Sequence, residues 1–155
     1  MIIKEIQIKN FRSYYGNNNK FKFSDGLTLI LGDNGDGKTT FFDALQWLFN
    51  TTIDKGNIDH MSEMRKCKME IGEQEEISVA MLFEHDGEKS VEKSFFVERV
   101  SEDYFKVGPL VYRGYETLGV ERIQVSGKNL IDSPRSGRFF LFLEFVGAMQ
   151  YCKRK

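Results

Sequence analysis

Residues 32–39 read GDNGDGKT, a full match to the pattern G-x-x-x-x-G-K-[ST] of a phosphate-binding loop. Each required residue has its own task on a nucleoside triphosphate. Gly32, Gly35 and Gly37 let the backbone turn tightly and bring N–H groups up to phosphate oxygens. Lys38 places a point charge on the β- and γ-phosphates, and the Thr39 hydroxyl is the expected Mg²⁺ ligand, with Thr40 ending the loop. A helix expected to begin near Gly37 adds the positive end of its dipole and its unpaired N–H groups. Asn34 and Asp36 are read as loop-geometry residues. Neither Asp33 nor Asp36 is given a catalytic role, because a carboxylate beside phosphates is unfavourable unless it points to solvent.

The flanking sequence separates this loop from a chance Gly/Asp-rich turn. Residues 27–31 (LTLIL) form a short, nearly unbroken apolar run, as expected for a strand buried on both faces. Residues 39–50 (TTFFDALQWLFN) are strongly apolar, with Asp43, Gln46 and Asn50 spaced to make one narrow polar stripe at helical period. Trp47 then belongs to the core and is not an adenine platform. Strand, glycine loop and enclosed helix follow in the order the chemistry needs, and the implied ligand is ATP or GTP with Mg²⁺.

The glycine spacing resembles the G-x-N-G-x-G-K-[ST] version of the SMC, RecF and SbcC group of ABC-type ATPases. Residues 2–8 (IIKEIQI) lead into Lys9-Asn10-Phe11-Arg12-Ser13-Tyr14, similar to the l-x-N-F-R-S-[FY] opening of that group. Phe42-Asp43-Ala44-Leu45 resembles its h-[DE]-A-[IL] stretch just after the loop. The resemblance is specific over residues 1–50 and loose beyond them. The aromatic-rich later region resembles the DndD DNA sulfur-modification ATPases and similar defence-associated proteins. What the resemblance implies is an α/β P-loop NTPase, the N-terminal lobe of an ABC-type ATPase head with an antiparallel β-subdomain. It also implies that Arg12 and Ser13 lie close to the nucleotide, that a complementary C-terminal lobe or a second head is a partner, and that DNA is the usual target.

A complete head of this group needs a second half, with a signature motif and an acidic strand. Two stretches imitate those parts. Val125-Ser126-Gly127-Lys128 has a Ser-Gly pair but lacks the following glycine, and Gly127-Lys128-Asn129 reads as a turn. The run 139–145 (FFLFLEF) contains Glu144, but Leu143 stands where the acidic strand needs Asp, and leucine cannot hold Mg²⁺. No water-activating glutamate is identified, and Lys38 is the one residue assigned to the chemistry, as a phosphate contact. By resemblance the stretch 138–142 leads toward a glutamine-containing loop, yet the nearest candidate is Gln150. The expectation is an incomplete head, truncated or shifted in frame near Leu143, with a lobe over 1–146 and a frayed basic tail over 147–155.

Between helix and tail the chain reads as mostly β, with a β-rich part over 77–125. A second strand is expected at 20–23 and a short helix within a solvated connector at 59–69. Ile77, Val79, Met81 and Phe83 alternate along a strand, His85-Asp86-Gly87-Glu88 marks a hairpin, and 91–100 returns. Further strands are expected at 104–107, 110–113 and 120–125. The whole reads as a mixed sheet around the loop helix with a β-meander packed beside it.

The chain's 155 residues, 41% apolar and 14% aromatic, suffice for one domain core. His60 and His85 read as surface histidines, and Cys67 and Cys152 as free thiols of a reducing cytoplasm. No run is apolar and long enough for a membrane span. With 22 basic and 23 acidic residues, net charge −1, there is no global footprint for DNA, so DNA rests on resemblance alone. Arg135, Arg138 and the terminal Lys153-Arg154-Lys155 read as solvated charges. A small P-loop kinase or GTPase is the competing reading, disfavoured by the N-F-R-S opening and by the lack of an N-K-x-D motif.

Overall fold

The alternation Ile77, Val79, Met81, Phe83 becomes one face of the sheet's longest hairpin. All four side chains are at most 1% exposed on β3 (Gln74–Glu84). Asp86 and Gly87 both adopt positive φ, 53° and 102°, the turn that matches strand twist in a two-residue hairpin. β4 (Glu88–Arg99) then returns in antiparallel register along the whole of β3. The structure, a computed structural model, describes residues 2–26, 28–33, 35, 37–50, 55–118, 122–125 and 128–131.

β1 (Ile2–Lys9) pairs antiparallel with the other edge of β3, and β2 (Asn19–Lys22) pairs with β1. β5 (Phe105–Val107) and β6 (Val111–Arg113) both add to β4. The result is one six-stranded sheet in the order β2-β1-β3-β4-β5, with β6 also on β4. The expected mixed sheet with a separate meander is therefore corrected. Among the described residues every pairing is antiparallel: a tight turn reverses the chain between β3 and β4, and β1 runs antiparallel to β3 although β2, α1 and the connector separate them in sequence. A small hairpin of β7 (Arg122–Val125) and β8 (Lys128–Ile131) follows, so Lys128 and Asn129 lie in a strand and not in the expected turn.

One helix covers the apolar face. α1 (Lys38–Phe49) buries Phe41, Ala44, Leu45, Trp47 and Leu48, and leaves Gln46 and Asn50 exposed, as the polar stripe predicts. Its residues share one core with Ile6 and Ile8 of β1 and with Val79, Met81, Val91 and Phe95 of the hairpin. Trp47 is 6% exposed and lies in that core.

The apolar run before the loop departs from expectation. Residues 28–31 form no strand, and Leu29 and Leu31 are 72% and 79% exposed. A strand buried on both faces needs hydrogen-bonded neighbours on both sides. Here the sheet grows from β3 through β1 to β2, and among the described residues no strand pairs with this run.

The connector also differs. It is a 3₁₀ turn (Ile58–His60) and a short α2 (Glu63–Lys68), broken at Met61 and Ser62. Both breaking residues are buried, because the chain there bridges to the segment after β1: Phe11 pairs with Met61, and Ser62 N–H donates to Asn10 O at 2.8 Å. The connector thus supports residues 10–12 through Met61 and Ser62, while Glu63, Met64, Cys67 and Lys68 of α2 are exposed, as expected of a solvated connector. The acidic-strand imitation at 139–145, Gln150 and the tail 147–155 lie outside the described residues, as do Ser126 and Gly127.

Candidate functional site

The helix start is built to leave donors open. Gly37, at φ 85°, is the N-cap of α1; no described side chain caps it, and its first turn carries no acidic residue. Only glycine adopts this left-handed conformation without cost, and only an uncapped start leaves first-turn N–H groups for an anion. Gly35, at φ 96°, makes a second left-handed turn in the loop. Lys38 Nζ folds back over the loop and donates to Gly32 O and, at 2.5 Å, to Asp33 O. Gly32, Asp33, Gly35 and Thr39 are exposed, while Gly37, Lys38 and Thr40 are half-buried; Asn34 and Asp36 lie outside the described residues.

The segment after β1 is held against this loop by its own strained geometry. Asn10 and Arg12 take positive φ, 51° and 48°, which costs an ordinary residue about 1 kcal/mol or more. The strain is offset by hydrogen bonds. Asn10 accepts from Gly16 N–H at 2.9 Å and donates to Glu76 O at 3.3 Å, and Arg12 N–H donates to His60 O at 2.8 Å. Fully buried Phe11 anchors the turn in the core, 5.3 Å from the Trp47 ring and stacked 5.4 Å from His60.

That turn delivers three side chains to the loop and its helix. Arg12 Nη1 donates to Asp43 Oδ2 at 2.8 Å, one turn into α1. Tyr14 O–H donates to Gly37 O at 3.1 Å. Burial pushes the Tyr14 phenol up from its ordinary value, which keeps it a donor. A β-carbon on Gly37 would sit 3.4 Å from both Ser13 Oγ and Tyr14 Oη, so Ser13 adjoins the loop backbone. The structure therefore brings Arg12 and Ser13 to the loop helix, with the Arg12 guanidinium engaged by Asp43.

His60 is not a surface histidine. It packs on Phe11 and edge-on against Trp47 at 5.7 Å, and its Nδ1 is buried. Burial pushes its pKa down, and the charges of Arg12 and Lys93 push the same way, against a smaller opposite effect of Asp59. Burial and the two neighbouring cations thus favour the neutral ring. Among the described residues no group of three or more His, Cys, Asp or Glu is placed to hold a metal, and Cys67 is an exposed free thiol. No helix among the described residues is long and apolar enough to cross a membrane.

Sequence reading missed the other end of the helix. Lys93, 0% exposed, donates from Nζ to Trp47 O at 2.8 Å and Asn50 O at 2.6 Å. Tyr115 O–H donates to Leu48 O. The signal was present: Lys93 falls at a core position in the alternation Val91, Lys93, Phe95.

The donor set fits a polyphosphate. One ammonium and the open N–H groups of a helix start converge on Gly32 to Thr39, and the carbonyls now holding Lys38 are weak partners that phosphate oxygens can replace. Thr39 is exposed in the first turn of α1, beside the loop.

The model of the AAA domain family matches residues 5–134. Among curated proteins, the DNA double-strand break repair Rad50 ATPase of Methanocaldococcus jannaschii is 44% identical over 65 residues, 36% of this chain and 6% of that protein. The chromosome condensation protein dpy-27 of Caenorhabditis elegans is 36% identical over 84 residues, 54% of this chain and 6% of its own. The DNA replication and repair protein RecF of Streptococcus uberis is 35% identical over 86 residues, 54% of this chain and 23% of its own. The chain thus spans under a quarter of these relatives' lengths. A solved SMC ATPase chain superposes with a TM-score of 0.43 at 20% identity, covering 92% of this chain and 91% of that one.

Proposed function

Because the chain belongs to the AAA domain family, with SMC, Rad50 and RecF ATPases as homologues, we propose that it is an ATP-binding lobe of an SMC-like ATPase head. The carrying observation is the uncapped, glycine-led start of α1 with Lys38 folded over the loop. In this reading Lys38 leaves the Gly32 and Asp33 carbonyls and takes the β- and γ-phosphates. N–H groups of residues 32–40 cradle the oxygens, with Asn34 and Asp36 shaping the turn. Thr39 ligates Mg²⁺, which when bound neutralises charge on the phosphates. Ser13 closes the loop from the side. Arg12, released from Asp43, adds a second cation.

Hydrolysis in this reading needs a complementary C-terminal lobe and an opposing head to supply the signature motif and acidic strand. The relatives act in break repair, replication and repair, and chromosome condensation, which supports a DNA-associated role. DNA modification and phage defence remain part of the proposal through the resemblance of the later region, and the cytoplasm is the proposed location. A second reading is a non-catalytic nucleotide-binding module or one half of a split ATPase. Its ground is that the one stretch imitating an acidic strand, 139–145, has Leu143 where Asp would be needed, so no Mg²⁺-holding carboxylate or water-activating glutamate is identified in this sequence.

The test is thermal unfolding with and without MgATP. At a hundredfold excess over Kd, binding adds about 2.7 kcal/mol to stability, a shift of several degrees. Lys38→Ala removes the shift. An equal shift in that variant places the nucleotide elsewhere. ATP turnover that appears only on adding a polypeptide with signature and acidic-strand motifs supports the split form over the non-catalytic one.

A further inference from the structure

Lysine on the helix-facing side of a sheet is costly to bury unless its charge and donors are used. Lys93 occupies such a position between Val91 and Phe95, at 0% exposure. Its ammonium meets the last turn of α1 through Trp47 O and Asn50 O, and lies 4.5 Å from the Trp47 ring and 5.3 Å from the Tyr112 ring. Carbonyls at a helix C-terminus are the negative pole of its dipole, so a cation is favoured there. Tyr115 adds a second donor on Leu48 O, from the 3₁₀ turn Tyr115–Leu118 that follows β6. Two parts of the β-region thus grip one helix end, β4 through Lys93 and the turn through Tyr115, with the Tyr112 ring of β6 lying against the Lys93 ammonium.

The other end of that helix is the phosphate loop. A twelve-residue helix is a rod of about 18 Å, so movement at one end is carried to the other. We propose that Lys93 is a positioning residue for the nucleotide site, fixing the axial placement of α1 and hence of Lys38 and Thr39. Tyr115 is its auxiliary. This inference rests on the ATP-binding reading for its functional consequence but not for its structural one. Misplacing positioned groups by about 1 Å can cost on the order of a hundredfold in rate, and a smaller shift of Lys38 and Thr39 is expected to weaken binding by on the order of tenfold.

The test compares Lys93→Met, which keeps length and removes the charge, with Lys93→Arg, which restores a cation and donors, and with Tyr115→Phe. Val97→Ala, in the core of the same strand, serves as a control for lost stability. The first readout is hydrogen exchange of amides 41–45 in nucleotide-free chain, the first α1 amides with intrahelical partners, beginning with Phe41 N–H on Gly37 O. Lys93→Met is expected to speed exchange there, Tyr115→Phe to do so less, and Val97→Ala not at all beyond its global loss. The second is MgATP affinity at a temperature where each variant is folded: about tenfold weaker in Lys93→Met, and recovered at least in part in Lys93→Arg. Unchanged exchange at the loop end in both Lys93→Met and Tyr115→Phe overturns the proposal. So does an equal effect of Val97→Ala, which would reduce the role to general stability. If Lys93→Met does not fold, Tyr115→Phe decides alone. Failure of the unaltered chain to bind ATP sinks the nucleotide reading, and exchange then decides the positioning role by itself.

Discussion

Arg12 and Asp43 hold the segment after β1 to the loop helix through a contact with solvent on one side, the Arg12 side chain being 41% exposed and that of Asp43 23%. An ion pair of this kind contributes about 1 kcal/mol or less. Arg12→Ala should therefore lower stability in urea by under about 1 kcal/mol, while weakening MgATP binding measured by calorimetry. A large stability loss with unchanged affinity would make Arg12 a structural latch alone. His60 makes a pH prediction. Its folded pKa is lowered from 6.5, so the unfolded chain takes up the proton first. The stability it contributes is complete above the unfolded value and is lost as pH falls from 6.5 toward the lower folded value. Melting should occur at lower temperature near pH 5.5 than near pH 7.5, and His60→Phe should flatten that part of the profile. Trp47, the sole tryptophan and in ring contact with His60, gives a fluorescence readout of the same proton. A profile unchanged by the substitution would contradict the assignment.

At the scale of elements, the close contact between β4 and the bend after β6 is the point least able to give. Gly114 has φ 75°, and a β-carbon there would lie 2.0 Å from Ser90 O. Gly114→Ala combines backbone strain with a clash against main chain, and should lower stability by about 2 kcal/mol or more, read as a shifted urea midpoint. No shift would mean that β6 is not seated on β4 as described. Local patterns account for what was legible in the sequence. The period of two in β3, the Asp-Gly turn and the apolar wrap of α1 all report on burial against neighbours close in the chain. What was not legible depends on distant partners. The run 28–31 has the composition of a buried strand, yet composition does not state which strands lie beside it. The break at Met61 and Ser62 comes from pairing with Phe11 and Asn10, some fifty residues away. Within the site, the loop pattern correctly marked the glycine-led helix start, and resemblance brought Arg12 and Ser13 to it. The grip of Lys93 on Trp47 and Asn50 had only a misplaced charge as its trace.

On the scale of the whole molecule, the six-stranded antiparallel sheet carries α1 on its apolar face among the described residues, with the glycine loop at one helix end and the grip of Lys93 and Tyr115 at the other. The family relation accounts for this combination. Isothermal calorimetry of the purified chain with MgATP, beside Lys38→Ala, tests the central claim most directly. The account predicts one site per chain, dependence on Mg²⁺, and loss of the heat signal in Lys38→Ala. A folded chain that gives no heat, or a variant that binds as the unaltered chain does, would contradict it.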